Sequence, residues 1–412
     1  MTHARRQFFR GCVVGCLAVI LAACAGEYQQ TTFEPVSEFG RSLNRLFAIT
    51  FWWTIGILVL VEIVILINIF RFRERAGQPK PKQIHGNVKL EFLWTVIPAI
   101  IVLFIAIPTI QTVFATQQRA PADALVVEVI GHQWWWEFRY PETGVVTANE
   151  LVLPAGRNID LKMHSADVVH SFWVPRVGGK RDVNPQPRPG RGESGLRSNH
   201  LTFNIEQPGY YLGQCAEFCG ASHAIMRMAI NAVPADQFSQ WTASMGGRAQ
   251  PGVTPPALPA EQTETQEAAA ARARADSLAR QRDTVSTADT LRPPVPTTPL
   301  QGPATPAGPQ SEVERGQRLF TSKVCIACHT IQGTSARGVL GPNLTRFGSR
   351  RYVGAGARFN TLENVIAWIT NPGAVKPGTL MPGAQNPGGG MPPTGLTNEE
   401  VRAIAIYLLS LK

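Results

Sequence analysis

The chain has no cysteine to spare. Its seven cysteines in 412 residues fall into three local groups, Cys12/Cys16/Cys24, Cys215/Cys219 and Cys325/Cys328. That distribution leaves nothing for a disulfide framework, so the thiols serve chemistry rather than cross-linking. Charge of one sign is not massed either. The formal net charge of +10 is modest for this length and unevenly spread, and it gives no argument for nucleic acid. Beyond His329 there is no further Cys or His, which excludes a zinc site around the last cysteine pair. The first apolar run, Gly11 to Ala23, has only 13 residues and is too short to cross a bilayer.

That short run follows Arg5, Arg6 and Arg10 and reads as a signal peptide over 1–23. It ends in Leu21-Ala22-Ala23-Cys24, similar to a bacterial lipobox, so Cys24 is the expected lipidation site; a plain cleavage site with an incidental cysteine is the alternative. Arg5-Arg6-Gln7-Phe8-Phe9-Arg10 also looks like a twin-arginine signal, although an ordinary basic leader explains it as well. A polar exported lead-in occupies 24–45, and 46–115 forms a transmembrane hairpin. Leu46 to Phe70 carries one charge, Glu62, and Phe92 to Phe114 carries none. The connecting Arg71, Arg73, Arg75, Lys80, Lys82 and Lys89 place the loop in the cytoplasm and both flanks outside. Glu62 and Glu91 are costly at these depths and read either as partner-paired carboxyls at a helix interface or as proton-handling groups.

Over 116–245 the pattern turns to short strands. Leu125 to Ile130, Leu151 to Leu153, the alternation through Ile159, Leu161 and Met163, and that through Leu201, Phe203 and Ile205 predict a Greek-key β-sandwich. Its last loop is Cys215-Ala-Glu-Phe-Cys219-Gly-Ala-Ser-His223-Ala-Ile-Met226, with His170 available upstream. Thiolate, thioether and imidazole are a soft set that suits copper. A mononuclear site needs one Cys; a second Cys four residues on lets two thiolates bridge two metals, so a binuclear copper centre is expected. His132, His164 and His200 read as structural histidines and Met228 as packing. Trp134-Trp135-Trp136 reads as core or membrane-interface packing; if the run is a strand, alternation turns Trp135 away from its neighbours.

Residues 246–310 form a Pro/Ala/Thr-rich linker without apolar periodicity. In 311–412, Cys325-Ile-Ala-Cys328-His329 is the c-type haem attachment pattern, with His329 as one axial ligand. The second axial ligand is expected to be Met381, with Met391 the other candidate. A helix from Asn398 to Leu411 closes the unit. Eleven Lys/Arg against five Glu in 311–412 predict a donor with an acidic contact face. The expected fold class is a multidomain membrane protein: a two-helix transmembrane hairpin, a cupredoxin-like Greek-key β-sandwich and an all-α c-type cytochrome domain.

Glu91-Phe-Leu-Trp-Thr-Val-Ile-Pro, Gly131-His-Gln-Trp134-Trp-Trp, His170-Ser-Phe-Trp-Val-Pro and the Cys215 to Met226 loop together resemble subunit II of cytochrome c oxidase over about 39–234. The haem unit resembles the fused domain of caa-type oxidases. The resemblance implies a CuA pair held by His170, Cys215, the Glu217 carbonyl, Cys219, His223 and Met226. It also implies a magnesium ion shared with subunit I at the Glu217 carboxylate. It makes Trp134 the residue where electrons enter and sets Glu91 at the mouth of a proton channel in subunit I. The implied partners are subunit I, subunit III and an exported electron donor; the implied place is the bacterial cytoplasmic membrane, with both metal-bearing domains outside. The segment 184–198 is longer than the family pattern and bears on docking rather than on the copper ligands. Two alternatives stay open: the small subunit of a CuA-containing nitric oxide reductase, and a copper carrier. The carrier leaves the haem motif and the anchor unexplained.

Overall fold

A computed structural model describes residues 29–73, 77, 85–185, 199–246 and 309–412. The expected signal peptide with Cys24, most of the loop between the spans, segment 186–198 and most of the expected linker lie outside the described residues.

Two helices, α1 (Glu38–Arg71) and α2 (Val88–Thr116), are long and apolar enough to cross a membrane, each with an apolar stretch of mean hydropathy 2.5. Both exceed the apolar runs. At about 1.5 Å per residue α1 is roughly 50 Å long against a hydrocarbon core of about 30 Å, so part of it must stand in water or on protein. Its first turns do so. Ser37 caps them, accepting from the Gly40 amide at 2.9 Å and donating to the Val177 carbonyl. Arg41 reaches Glu206 at 2.9 Å. The anchor is thereby tied to the domain above it. The two helices meet at Trp53 and Phe104, stacked 6.0 Å apart.

The middle unit is a sandwich of two five-stranded sheets. One sheet has the order β3-β2-β1-β5-β8, built from Val145–Ala148, Trp135–Tyr140, Leu125–His132, Asn158–Ser165 and Asn199–Asn204. The other has the order β4-β10-β9-β6-β7, built from Glu150–Pro154, Arg227–Val233, Gly209–Cys215, His170–Trp173 and Arg181–Val183. The parallel pairs β1/β5 and β4/β10 are crossovers within otherwise antiparallel sheets. Alternating Leu125, Val127 and Val129 point inward to meet Leu161, Phe172 and Ile230, all buried. Helix α3 (Ala235–Ser244) closes one end, with Trp241 edge-on to Tyr140 at 5.3 Å.

The third unit packs α4 (Pro309–Ser322) against α8 (Asn398–Ser410) around Phe320 and Tyr407. Between them lie the one-turn α5 (Cys325–Cys328), α6 (Leu362–Thr370) and α7 (Pro372–Val375). A ribbon of β11 (Tyr352–Val353) and β12 (Arg358–Phe359) interrupts the helices; two-residue strands carry no periodicity from which to foresee them.

Candidate metal centre

The copper ligands expected from sequence converge on one end of the sandwich. His170 opens β6, Cys215 ends β9, and Met226 precedes β10, where the Cys215 amide donates to the Met226 carbonyl at 2.9 Å and closes the loop. Within that loop the Cys215 and Cys219 sulfurs lie 3.7 Å apart. The His170 Nδ1 is 3.9 Å from Cys215 Sγ, the His223 Nδ1 is 3.6 Å from Cys219 Sγ, and the Met226 Sδ is 3.7 Å from Cys219 Sγ. The Glu217 carbonyl oxygen sits 3.2 Å from Cys215 Sγ, while its side chain is exposed. Gly220, at φ 111°, turns the chain directly after the second thiol, toward His223, and a Cβ there would press to 3.1 Å on Trp134.

Orientation of the imidazole comes from outside the ligand set. Asp167 Oδ1 takes His170 Nε2 at 2.8 Å, which leaves Nδ1 for the thiolates. The same carboxylate accepts from the amides of Gln133 and Val168, each at 2.6 Å. Burial pushes its pKa up, but the His170 and amide bonds outweigh that, and Asp167 stays below the usual carboxylate range. Gly131 lets the ring in: a Cβ at that position would lie 2.7 Å from His170 Cδ2. The Cys215 thiol is held far below its ordinary pKa by its bond to Cys219, against the opposing effect of burial, with help from His170. Two close sulfurs, two aimed nitrogens, a thioether and a carbonyl, nearly all buried, fit a thiolate-bridged copper pair.

The three tryptophans divide their roles. Trp136 is fully buried beside Phe172, and Trp135 lies on the other face, stacked on His132 at 4.2 Å. Trp134 belongs to the turn between β1 and β2, and its Nε1–H donates to the Cys219 carbonyl at 2.9 Å. His132 bonds Glu137 and His200 bonds Asp160, each at 3.0 Å, and Met228 is buried in the core.

In the third unit α5 carries Cys325 and Cys328, and His329 follows directly. The His329 Nδ1–H donates to the Pro342 carbonyl at 2.8 Å, freeing Nε2 for a metal. Burial holds the ring neutral, as a ligand must be, and pushes the Cys325 thiol up to about 11. These residues fit a covalently held haem. Met381 and Met391 share one loop, which is tied by paired amide bonds between Gly388 and Met391, and both side chains are half-buried.

Glu91 lies at the start of α2, where its carboxylate accepts from the Asn87 amide at 3.2 Å, and Glu62 faces outward on α1. Sequence reasoning missed the seam between the two metal-bearing units. Lys376, 3% exposed, donates to the carbonyls of Trp134, Ile225 (3.1 Å) and Gly354 (3.0 Å). Glu150 accepts from the Arg351 amide at 2.9 Å and from the Tyr210 hydroxyl at 3.1 Å. A lysine among prolines and glycines carries no pattern that separates a buried role from a solvated one.

Comparison with known proteins agrees with this geometry. Family models match the transmembrane domain of cytochrome c oxidase subunit II at 27–112, its periplasmic domain at 142–233, and cytochrome c at 313–412. The chain is 30% identical to cytochrome c oxidase subunit 2 of Alkalihalophilus pseudofirmus, covering 96% of this chain and 95% of that one. It is 30% identical to the same subunit of Bacillus sp. strain PS3, over 97% and 96%. The solved periplasmic domain of subunit II from Bradyrhizobium japonicum is 28% identical, covering 31% of this chain and 97% of that one at a TM-score of 0.28. With a copper-type donor set, a haem attachment helix and two spanning helices in the family order, this chain belongs to the cytochrome c oxidase subunit II family, an oxidoreductase subunit, and carries a cytochrome c domain at its C-terminal side.

Proposed function

We propose that this subunit takes electrons from an exported donor at its haem domain and hands them through Trp134 to the Cys215 to Met226 loop. From there they pass to subunit I, where dioxygen is reduced to water and protons are pumped. When bound, the haem and the copper pair supply one-electron carriers. The observation that carries this reading is the position of Trp134. Its indole is bonded to the Cys219 carbonyl on one side, and on the other it meets Gly378 of the haem domain, where a Cβ would lie 2.6 Å from the ring. Cys215 and Cys219 hold the metals from one rigid loop, so the ligands need not move when charge changes. His329 would hold the haem iron, with Met381, or its loop neighbour Met391, as the second ligand.

The finer assignments follow from the same reading. Glu217 offers its carbonyl inward and its exposed carboxylate outward, where a magnesium ion shared with subunit I would sit. Glu91 feeds the mouth of a proton channel in subunit I, and Cys24 carries the lipid. Arg71, Arg73 and Lys89 flank the inter-span loop and support placing it in the cytoplasm, with the copper and haem domains outside a bacterial inner membrane. Subunit III completes the assembly. The test is to purify the complex and assay it against both gases. Dioxygen consumption driven by a reduced acidic donor, falling as salt rises, is expected; turnover of nitric oxide in its place would sink the reading.

A further inference from the structure

The haem domain is not merely near the copper domain; it is bonded to it at several points that surround Trp134. Lys376 spends all three ammonium donors on carbonyls, two of them on the copper side (Trp134 and Ile225) and one on its own (Gly354). Ile225 precedes the ligand Met226, so one ammonium grips both the tryptophan turn and the copper loop. Next to it the Ser222 hydroxyl donates to the Pro377 carbonyl at 2.6 Å, and the Arg227 amide donates to the Ala355 carbonyl at 3.0 Å. Gly356, at φ 83°, lets that loop lie on the Arg227 side chain. A second cluster stands a short way off. Glu150 of β4 takes the Arg351 amide, and the Arg351 guanidinium lies 4.2 Å over the Tyr210 ring.

We propose that Lys376 is a positioning residue that latches the haem domain onto the Trp134 face of the copper domain, with the Glu150/Tyr210/Arg351 cluster as a second fastening. An ammonium taken this far out of water is tolerated only with its donors matched, and here the match exists only when the two domains are together. Undocking therefore either strips Lys376 of two of its three partners or opens it to solvent. Docking has a functional corollary: the haem domain covers part of Trp134, which favours delivery of electrons through the haem over direct contact of an external donor with that ring. The inference rests on the relay proposed above.

The test uses the intact complex with Lys376→Met, which keeps the length and apolar stem but removes the charge, and Lys376→Arg as the conservative variant. Two readouts are taken. The first is hydrogen exchange of the Arg227 and Arg351 amides, each of which is bonded across the seam. The second is electron transfer from photoreduced haem to copper, followed in the near-infrared. In Lys376→Met both amides are expected to exchange about tenfold faster or more, and transfer to slow by a similar factor, with haem and copper spectra unchanged. Lys376→Arg should recover part of both. Should Lys376→Met fail to assemble, Arg351→Ala carries the test through faster exchange at Arg227. Exchange and transfer both at the wild-type level would overturn the latch and leave the relay standing. Faster exchange in a protein whose copper is never reduced through the haem would support the latch and remove the relay.

Discussion

Asp167 settles which nitrogen of His170 faces the copper loop, and it lies three residues from the ligand it steers. Exchanging it for Asn keeps the shape but removes the charge that favours an Nε2–H. Asp167→Asn should lower copper affinity by about 10- to 100-fold, the usual cost of losing a partner behind a ligating histidine. Chelator competition followed by the near-infrared band measures it, and full retention would contradict the assignment. A second carboxylate works on stability instead. Burial pushes Glu137 up, but bonds from His132 at 3.0 Å and Arg139 at 2.5 Å outweigh it, and its pKa falls below the ordinary 4.5. A carboxylate lowered in the folded state contributes stability that is present above its unfolded value and lost as pH falls through the folded one. Glu137→Gln should therefore flatten the acid side of the stability profile below about pH 5 and leave the slope near neutrality alone. Thermal melts of the copper domain across that range check it.

At the scale of elements, the strands that alternate cleanly were legible. β1, β4, β5 and β8 appear where Leu125, Leu151, Ile159 and Leu201 set the period. β9 was not, because Gly209 and Gly213 break the pattern and its pairing with β10 supplies what local propensity lacks. Helix ends behaved likewise. The apolar count stops α1 at the membrane surface, whereas the Ser37 cap and the contact with the copper domain carry it on to Glu38. The closing helix α8 was foreseen from its apolar face, and its start is fixed by a capping box in which Thr397 and Glu400 satisfy each other's amides. Thr397→Ala should cost the haem domain about 1 kcal/mol, read as a lowered unfolding midpoint by haem-band absorbance; an unchanged midpoint would mean that packing alone holds that end.

Across the whole molecule, the charge tells a different story from the one composition suggests. Of the eleven Lys and Arg in the haem domain, Lys376, Arg351 and Arg346 are bonded to the copper domain, through carbonyls, Glu150, Tyr210 and Ser244. Those three serve contact within the chain, and two more, Arg315 and Lys323, pair with Glu399 and Glu400 of the closing helix. The candidate ligand set stood out in the sequence because a metal site demands fixed residue types at short spacing. The seam did not, because it joins residues more than 100 positions apart, largely through backbone groups, which every residue possesses. The relay itself is tested most directly by mixing the oxidised complex with reduced donor and following the haem and near-infrared copper bands together. The account predicts that the haem is reduced first and that copper follows at a rate independent of donor concentration. Copper reduced ahead of the haem, at a rate rising with donor, would contradict it.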